Sequence, residues 1–203
     1  MRPVSAAYET SQDFGSMKTA GVVANRNPAS GVGYYVYLYG DYQPFGHAGE
    51  DIACEIGTPV YAMAAGTVLW ADWGTNLPGD NSEAGWRSRW YLYKGFPGKV
   101  LVIQHWWGIG VYAHLSEFAV RRGDNVAEGQ LVAKSGNTGG VAAHLHVEAL
   151  IDLNYTTGGG LIYGRTDPTQ FYGGLAAQGS VKPISAPQYT PDEQFLVDLF
   201  GAL

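Results

Sequence analysis

The stretch that decides the fold is residues 135–151, SGNTGGVAAHLHVEALI. A glycine-rich turn at 136–140 leads into His144–Ile151, where apolar and polar residues alternate. Alternation with a period of two marks a strand with one face in a core and the other free to carry polar groups. His144 and His146 are two residues apart and share a face. Outward from this strand, Val100–His105 (VLVIQH) and Gly110–His114 (GVYAH) read as two strands joined by a tight turn, and Leu131–Ser135 as another. Val60–Ala64 and Thr67–Ala71 read as a hairpin turning at Ala65-Gly66, and His47–Ile56 as a strand closed by Gly57-Thr58-Pro59. Tyr34–Tyr39 (YYVYLY) adds a further strand. The fold class expected is mainly β, in a single domain over residues 1–173. A linker at 174–190 and a short C-terminal helix over 191–203 follow, with Thr190 as its cap and Pro191 in its first turn.

Composition agrees. The 203 residues include 29 glycines, 14 tyrosines and 6 tryptophans, a mixture suited to strands and turns rather than helices. The formal net charge is -6 and no dense Lys/Arg run occurs, which excludes the basic patch of a nucleic-acid binder. No stretch approaches the roughly 20 apolar residues of a membrane-spanning helix, so membrane insertion is not expected. Met1–Phe14 has no apolar run of the secretory-signal kind. Cys54 is the only cysteine, so neither an intrachain disulfide nor a cysteine-only metal site can form. Its expected place is in the core.

Four of the five histidines lie in informative settings. In His47-Ala-Gly-Glu-Asp51, strand alternation puts His47, Gly49 and Asp51 on one side, and Gly49 leaves room between imidazole and carboxylate for an ion. Nitrogen and oxygen donors of this kind suit zinc. In His144-Leu-His146, one imidazole can ligate while the other stands beside it. His114 ends a short strand. A catalytic zinc site takes three protein ligands and keeps one position open. Two histidines would then remain to move protons and steady developing charge. Glu148 shares the strand face of His146 and could stand behind it as a partner of the ligand, although an exposed position is the ordinary expectation for a glutamate. His105 precedes Trp106-Trp107 and reads as structural or at a cleft rim. No His-Glu-x-x-His helix is present, which excludes the glutamate-base design.

These residues together resemble the lysostaphin- and LytM-type zinc endopeptidases. The resemblance runs through HAGED (47–51), GTPVYA (57–62), AGTV (65–68), VYAHLS (111–116), RRGDNVAEGQ (121–130), SGNTGG (135–140), HLHVE (144–148) and TDP (166–168). It implies antiparallel sheets forming a groove with one zinc at its floor. It implies His47, Asp51 and His146 as ligands, the choice of His146 over His144 resting on the resemblance. His114 and His144 are then the catalytic pair, and peptides of bacterial peptidoglycan, stem or cross-bridge, the substrate. With no signal peptide expected, the chain is similar to bacteriophage lysins, released by lysis or a holin, or carried in a virus particle. A virion structural or wall-binding protein that keeps the domain without important catalysis is the alternative.

Residues 73–98 depart from the short connection of many such enzymes. This insertion carries Trp73, Trp86, Trp90, Tyr91, Tyr93 and Phe96. It reads equally as a wall of the substrate groove or as a loop stapled by its own aromatics. Tyr112, Trp86 and Trp90 are the candidate substrate-contacting side chains.

Overall fold

The computed structural model describes residues 1–15, 46–80 and 82–173. The strand expected at Tyr34–Tyr39, the linker and the C-terminal helix lie outside them. Eleven strands are described: β1 Thr10–Gln12, β2 Glu50–Ile52, β3 Pro59–Tyr61, β4 Gly66–Trp73, β5 Lys99–His105, β6 Gly108–Leu115, β7 Glu117–Phe118, β8 Asn125–Val126, β9 Leu131–Lys134, β10 Leu145–Leu150 and β11 Arg165–Thr166. The main antiparallel sheet runs β1-β2-β10-β6-β5-β4-β8, with β11 also paired to β10. A second antiparallel sheet runs β3-β9-β7. The hairpin expected from Val60 to Ala71 does not form. β3 pairs with β9 and β4 with β5, so the two segments enter different sheets. Among the described residues no helix is long and apolar enough to cross a membrane.

The main sheet is covered on both faces, which explains why β6 is buried along its whole length. Leu101, Ile103, Tyr112, Leu145, Val147 and Ala149 point into one core, shared with Val60, Val132 and Ala133 of the small sheet. Val100, Val102, Val111, Ala113 and Leu150 point into a second, where Leu77 and Leu92 of the insertion cover them. The insertion is therefore packed, and it has secondary structure of its own, helix α1 at Glu83–Ser88. Ser82 caps α1 by accepting from the Gly85 amide at 3.1 Å. Arg89, fully buried, donates to the carbonyls of Leu92, Asp80 and Gly85 at 2.7–2.8 Å, and so folds the loop around one guanidinium.

Strand alternation breaks once where it matters. Lys99 pairs with Leu115 while Val100 pairs with Ala113, so His114 is an extra residue on β6. Its φ is +61°, the left-handed conformation of a β-bulge. Leu115 consequently returns to the face of Tyr112, and His114 turns to the opposite face. Its imidazole lies 4.7 Å from that of His144 and 6.0 Å from that of His146. A left-handed backbone costs a non-glycine residue about 1 kcal/mol or more. His114→Gly should therefore be more stable than His114→Ala by about 1 kcal/mol in urea unfolding. Equal midpoints and slopes would show that the bulge carries no such cost.

Candidate metal centre

β10 and β2 build the site between them. In their antiparallel pairing His146 stands directly opposite Asp51. A directly opposed pair shares a face, and His146 Nδ1 reaches Asp51 Oδ1 at 2.8 Å. His47 arrives differently from the expectation. The strand covers only residues 50–52, and a bend at 46–49 brings His47 Nε2 to 3.3 Å from Asp51 Oδ1 and 3.1 Å from His146 Nδ1. The room at Gly49 serves the close approach of strands rather than an ion. A Cβ there would meet the Val147 carbonyl and lie 2.9 Å from His146 Cε1.

The three donor atoms form a triangle with edges of 3.1, 2.8 and 3.3 Å. Zinc ligands at about 2.0–2.2 Å in a tetrahedron stand roughly 3.3–3.6 Å apart, so the triangle matches one slightly contracted face of such a site. His47, Asp51 and His146 are the described residues positioned to hold a metal ion. Each imidazole is also turned by a partner on its far nitrogen. His47 Nδ1 donates to the Asp13 carbonyl at 3.4 Å, and His146 Nε2 to Glu148 Oε1 at 3.2 Å. Nε2 of His47 and Nδ1 of His146 are left facing the triangle, the tautomers a metal requires.

Glu148 corrects its expected exposure. It is buried and held by Arg165, whose Nε donates to Oε2 at 2.7 Å. The carboxylate thus stands directly behind a metal-facing imidazole, a position that strand alternation alone made visible.

His114 and His144 flank the triangle. His114 Nδ1 donates to the Thr138 carbonyl at 3.0 Å and His144 Nδ1 to the Ala142 carbonyl at 2.7 Å. Carbonyls only accept, so in the neutral rings Nε2 carries the lone pair in both. His144 Nε2 lies 3.5 Å from Asp51 Oδ1. The insertion contributes Phe96, whose ring centroid is 5.8 Å from that of His114 and 6.1 Å from that of His146. Among the insertion's aromatics this ring, and not Trp86 or Trp90, is the one against the histidines. Trp86 is half-buried beneath the Arg89 guanidinium at 4.5 Å, and Trp90 packs on the second core. Nothing in the sequence separates Phe96 from its aromatic neighbours.

Tyr112 is a correction. It is completely buried in the first core, where its hydroxyl accepts from the Met63 amide at 2.9 Å and faces His105 Nε2 at 3.3 Å. Alternation would put Tyr112 beside His114, and the bulge separates them. His105 is structural, with Nδ1 donating to the Ala65 carbonyl at 3.2 Å.

Residues 45–157, more than half of the chain, match the profile of peptidase family M23. The chain belongs to peptidase family M23. Among M23 relatives, glycyl-glycine endopeptidase ALE-1 of Staphylococcus capitis is 36% identical over 120 residues, 56% of this chain and 28% of that protein. Peptidoglycan DD-endopeptidase ShyA of Vibrio cholerae is 36% identical over 109 residues, 52% of this chain and 20% of that protein. The chain thus spans less than a third of either relative. The catalytic domain of lysostaphin from Staphylococcus simulans has the same fold, with a TM-score of 0.51 at 23% identity, covering 82% of this chain and 92% of that domain.

The site's charges set its response to pH in the metal-free chain. Burial alone would raise Asp51, but hydrogen bonds from His146 and His47 hold its carboxyl well below the usual range. Burial likewise opposes ionisation of Glu148, and the adjacent Arg165 charge with His146 brings it down to about 2. His146 is pulled down by burial and raised overall, to about 10, by Asp51 and Glu148. Burial, with the neighbouring imidazoles, lowers His114 to about 4, and burial does the same to His105. Between pH 6.5 and 4 the unfolded chain takes up protons that folded His105 and His114 refuse, so stability falls on acidification, and Glu148 adds to the loss from 4.5 toward 2. Between 6.5 and 10 the folded chain keeps a proton on His146 that the unfolded chain has lost, so His146 works against stability as pH rises. Urea midpoints of metal-free protein from pH 4 to 10 should show the acid-side decline, and His114→Gln should reduce it. An unchanged decline in that variant would remove His114 as a contributor.

Proposed function

We propose that this chain is a zinc-dependent endopeptidase that hydrolyses peptide bonds of bacterial peptidoglycan, in the stem peptide or the cross-bridge. The observation that carries the reading is the conjunction of a three-donor face with two imidazoles whose far nitrogens are both committed to carbonyls. His47, Asp51 and His146 would hold one zinc per chain. Zinc held there would supply Lewis acidity for a scissile carbonyl and would lower the pKa of water toward about 7. His114, neutral through burial, accepts a proton at Nε2 from the attacking water. His144 Nε2, 3.5 Å from Asp51 Oδ1, stands where it can steady the charge developing on the carbonyl oxygen or pass a proton to the leaving amine. Phe96 gives the groove an apolar wall beside this pair. The M23 family, with relatives named as glycyl-glycine and DD-endopeptidases, supports wall peptides as the substrate class. On this reading the enzyme reaches the wall as a phage-type lysin. Detection in purified particles, or release only after holin action, is the observation that bears on that.

Digestion of defined direct-linked and glycine-bridged peptidoglycans, with mass analysis of the products, tests the reaction and identifies the bond. His114→Ala and His144→Ala should each lower the rate by roughly 10²–10⁴-fold while zinc content stays at one per chain. Full-rate cleavage by either variant removes that residue from the mechanism. Asp51→Ala should lose zinc and activity together. Binding of walls with no product peptides from the wild-type chain would instead support the non-catalytic alternative. Phe96→Ala should raise KM more than it lowers kcat, because it removes groove surface and leaves both imidazoles in place.

A further inference from the structure

Arg165 is nearly fully buried, and its guanidinium joins three parts of the chain. Nε donates to Glu148 Oε2 at 2.7 Å, Nη1 to the Tyr163 carbonyl at 2.8 Å, and Nη2 to the Trp90 carbonyl at 2.8 Å. Glu148 passes the contact on, since its other oxygen accepts from His146 Nε2 at 3.2 Å. Trp90 belongs to the insertion, and Trp90 and Tyr91 both have φ of +55°, a turn that follows α1 and contributes the carbonyl Arg165 uses. Beside it, Tyr91 stacks on Tyr155 with centroids 4.1 Å apart and lies 6.4 Å from the Tyr163 ring. The insertion and the 155–163 loop are therefore fastened together around the arginine.

We infer that Arg165 is a positioning residue for the metal ligand His146, and that the insertion holds Arg165 in place to do this. An imidazole that ligates through Nδ1 must keep its proton on Nε2, and a fixed acceptor behind Nε2 enforces both tautomer and ring angle. Glu148 is that acceptor. A buried carboxylate with no cation beside it would turn toward other donors, and the Arg165 contact at Oε2 keeps it aimed at His146. Lysine does not replace it, because a single ammonium cannot serve a carboxylate and two carbonyls in fixed directions. The insertion then has a second role besides lining the groove: it is part of the support of the metal centre. This inference rests on the reading of His47, Asp51 and His146 as a zinc site.

The test is zinc affinity of the full-length chain, measured by chelator competition with zinc alone, with thermal unfolding of the metal-free protein as the control for folding. Arg165→Gln should weaken zinc binding by about 10–100-fold, and Arg165→Lys should recover only part of that. In a Glu148→Gln background Arg165→Gln should add little, since both changes cut one chain of contacts. Tyr91→Ala, which loosens the insertion and leaves Arg165 intact, should weaken zinc in the same direction. In the zinc-loaded wild type, ¹⁵N shifts should place the His146 proton on Nε2, and Arg165→Gln should broaden or shift that signal. If the wild-type chain binds no zinc, the site reading fails first. If it binds zinc and folded Arg165→Gln binds equally well, Arg165 has no positioning role. Should Arg165→Gln fail to fold, unchanged affinity in both Arg165→Lys and Tyr91→Ala overturns the inference.

Discussion

β10 can sit in the main sheet in only one register. Leu145, Val147 and Ala149 are completely buried on one face, and His146 and Glu148 occupy the other. A slip by one residue would drive an imidazole and a carboxylate into the first core and turn three apolar side chains toward the site. Burying those groups without partners costs several kcal/mol, more than any loop contact could offset. The same constraint sets Asp51 opposite His146 through β2 and Ala113 opposite it through β6. Hydrophobic burial thus fixes His146 and, across the ladder, Asp51, while the bend at 46–49 delivers His47 to them.

The groups that cannot be apolar are made tolerable by one another. Asp51, His47 and His146 share a triangle of short contacts, and Glu148 and Arg165 continue it into the protein. Among the described residues Asp51 faces only imidazoles, and Glu148 is shared between His146 and Arg165, so the Asp51 end of the chain of contacts is the one left open to a cation. That is a structural cost held in reserve for function: the metal-free site keeps a proton on His146 where a metal would sit. The bulge at His114 is a cost of the same kind in the backbone, since the left-handed turn is what moves one imidazole across the sheet.

The parts of this arrangement that a sequence reveals are those governed by period. The alternation that opens 144–151 and the apolar run of 100–105 give the central strands within a residue or two, and the i, i+2 spacing puts His146 and Glu148 on one face. Features set by partners far along the chain stay hidden. Val60–Ala64 and Thr67–Ala71 look like a hairpin because each is a short apolar run near a glycine, yet the first finds β9 and the second β5. An extra residue in one strand leaves no local mark, so the sequence does not show that Tyr112 and His114 turn to opposite faces. Glu148 looked exposed because its cation, Arg165, lies seventeen residues on in a two-residue strand.

The loop between β4 and β5 is part of the fold rather than an appendage to it. Val100, Val102, Val111 and Leu150 are apolar because Leu77 and Leu92 cover them. Excising residues 74–98 would leave a bare apolar sheet face, the kind of surface that drives association between copies. Loop and strands therefore form a single packed unit. An engineer who transplants the loop must carry the strand positions it covers on β5, β6 and β10 along with it.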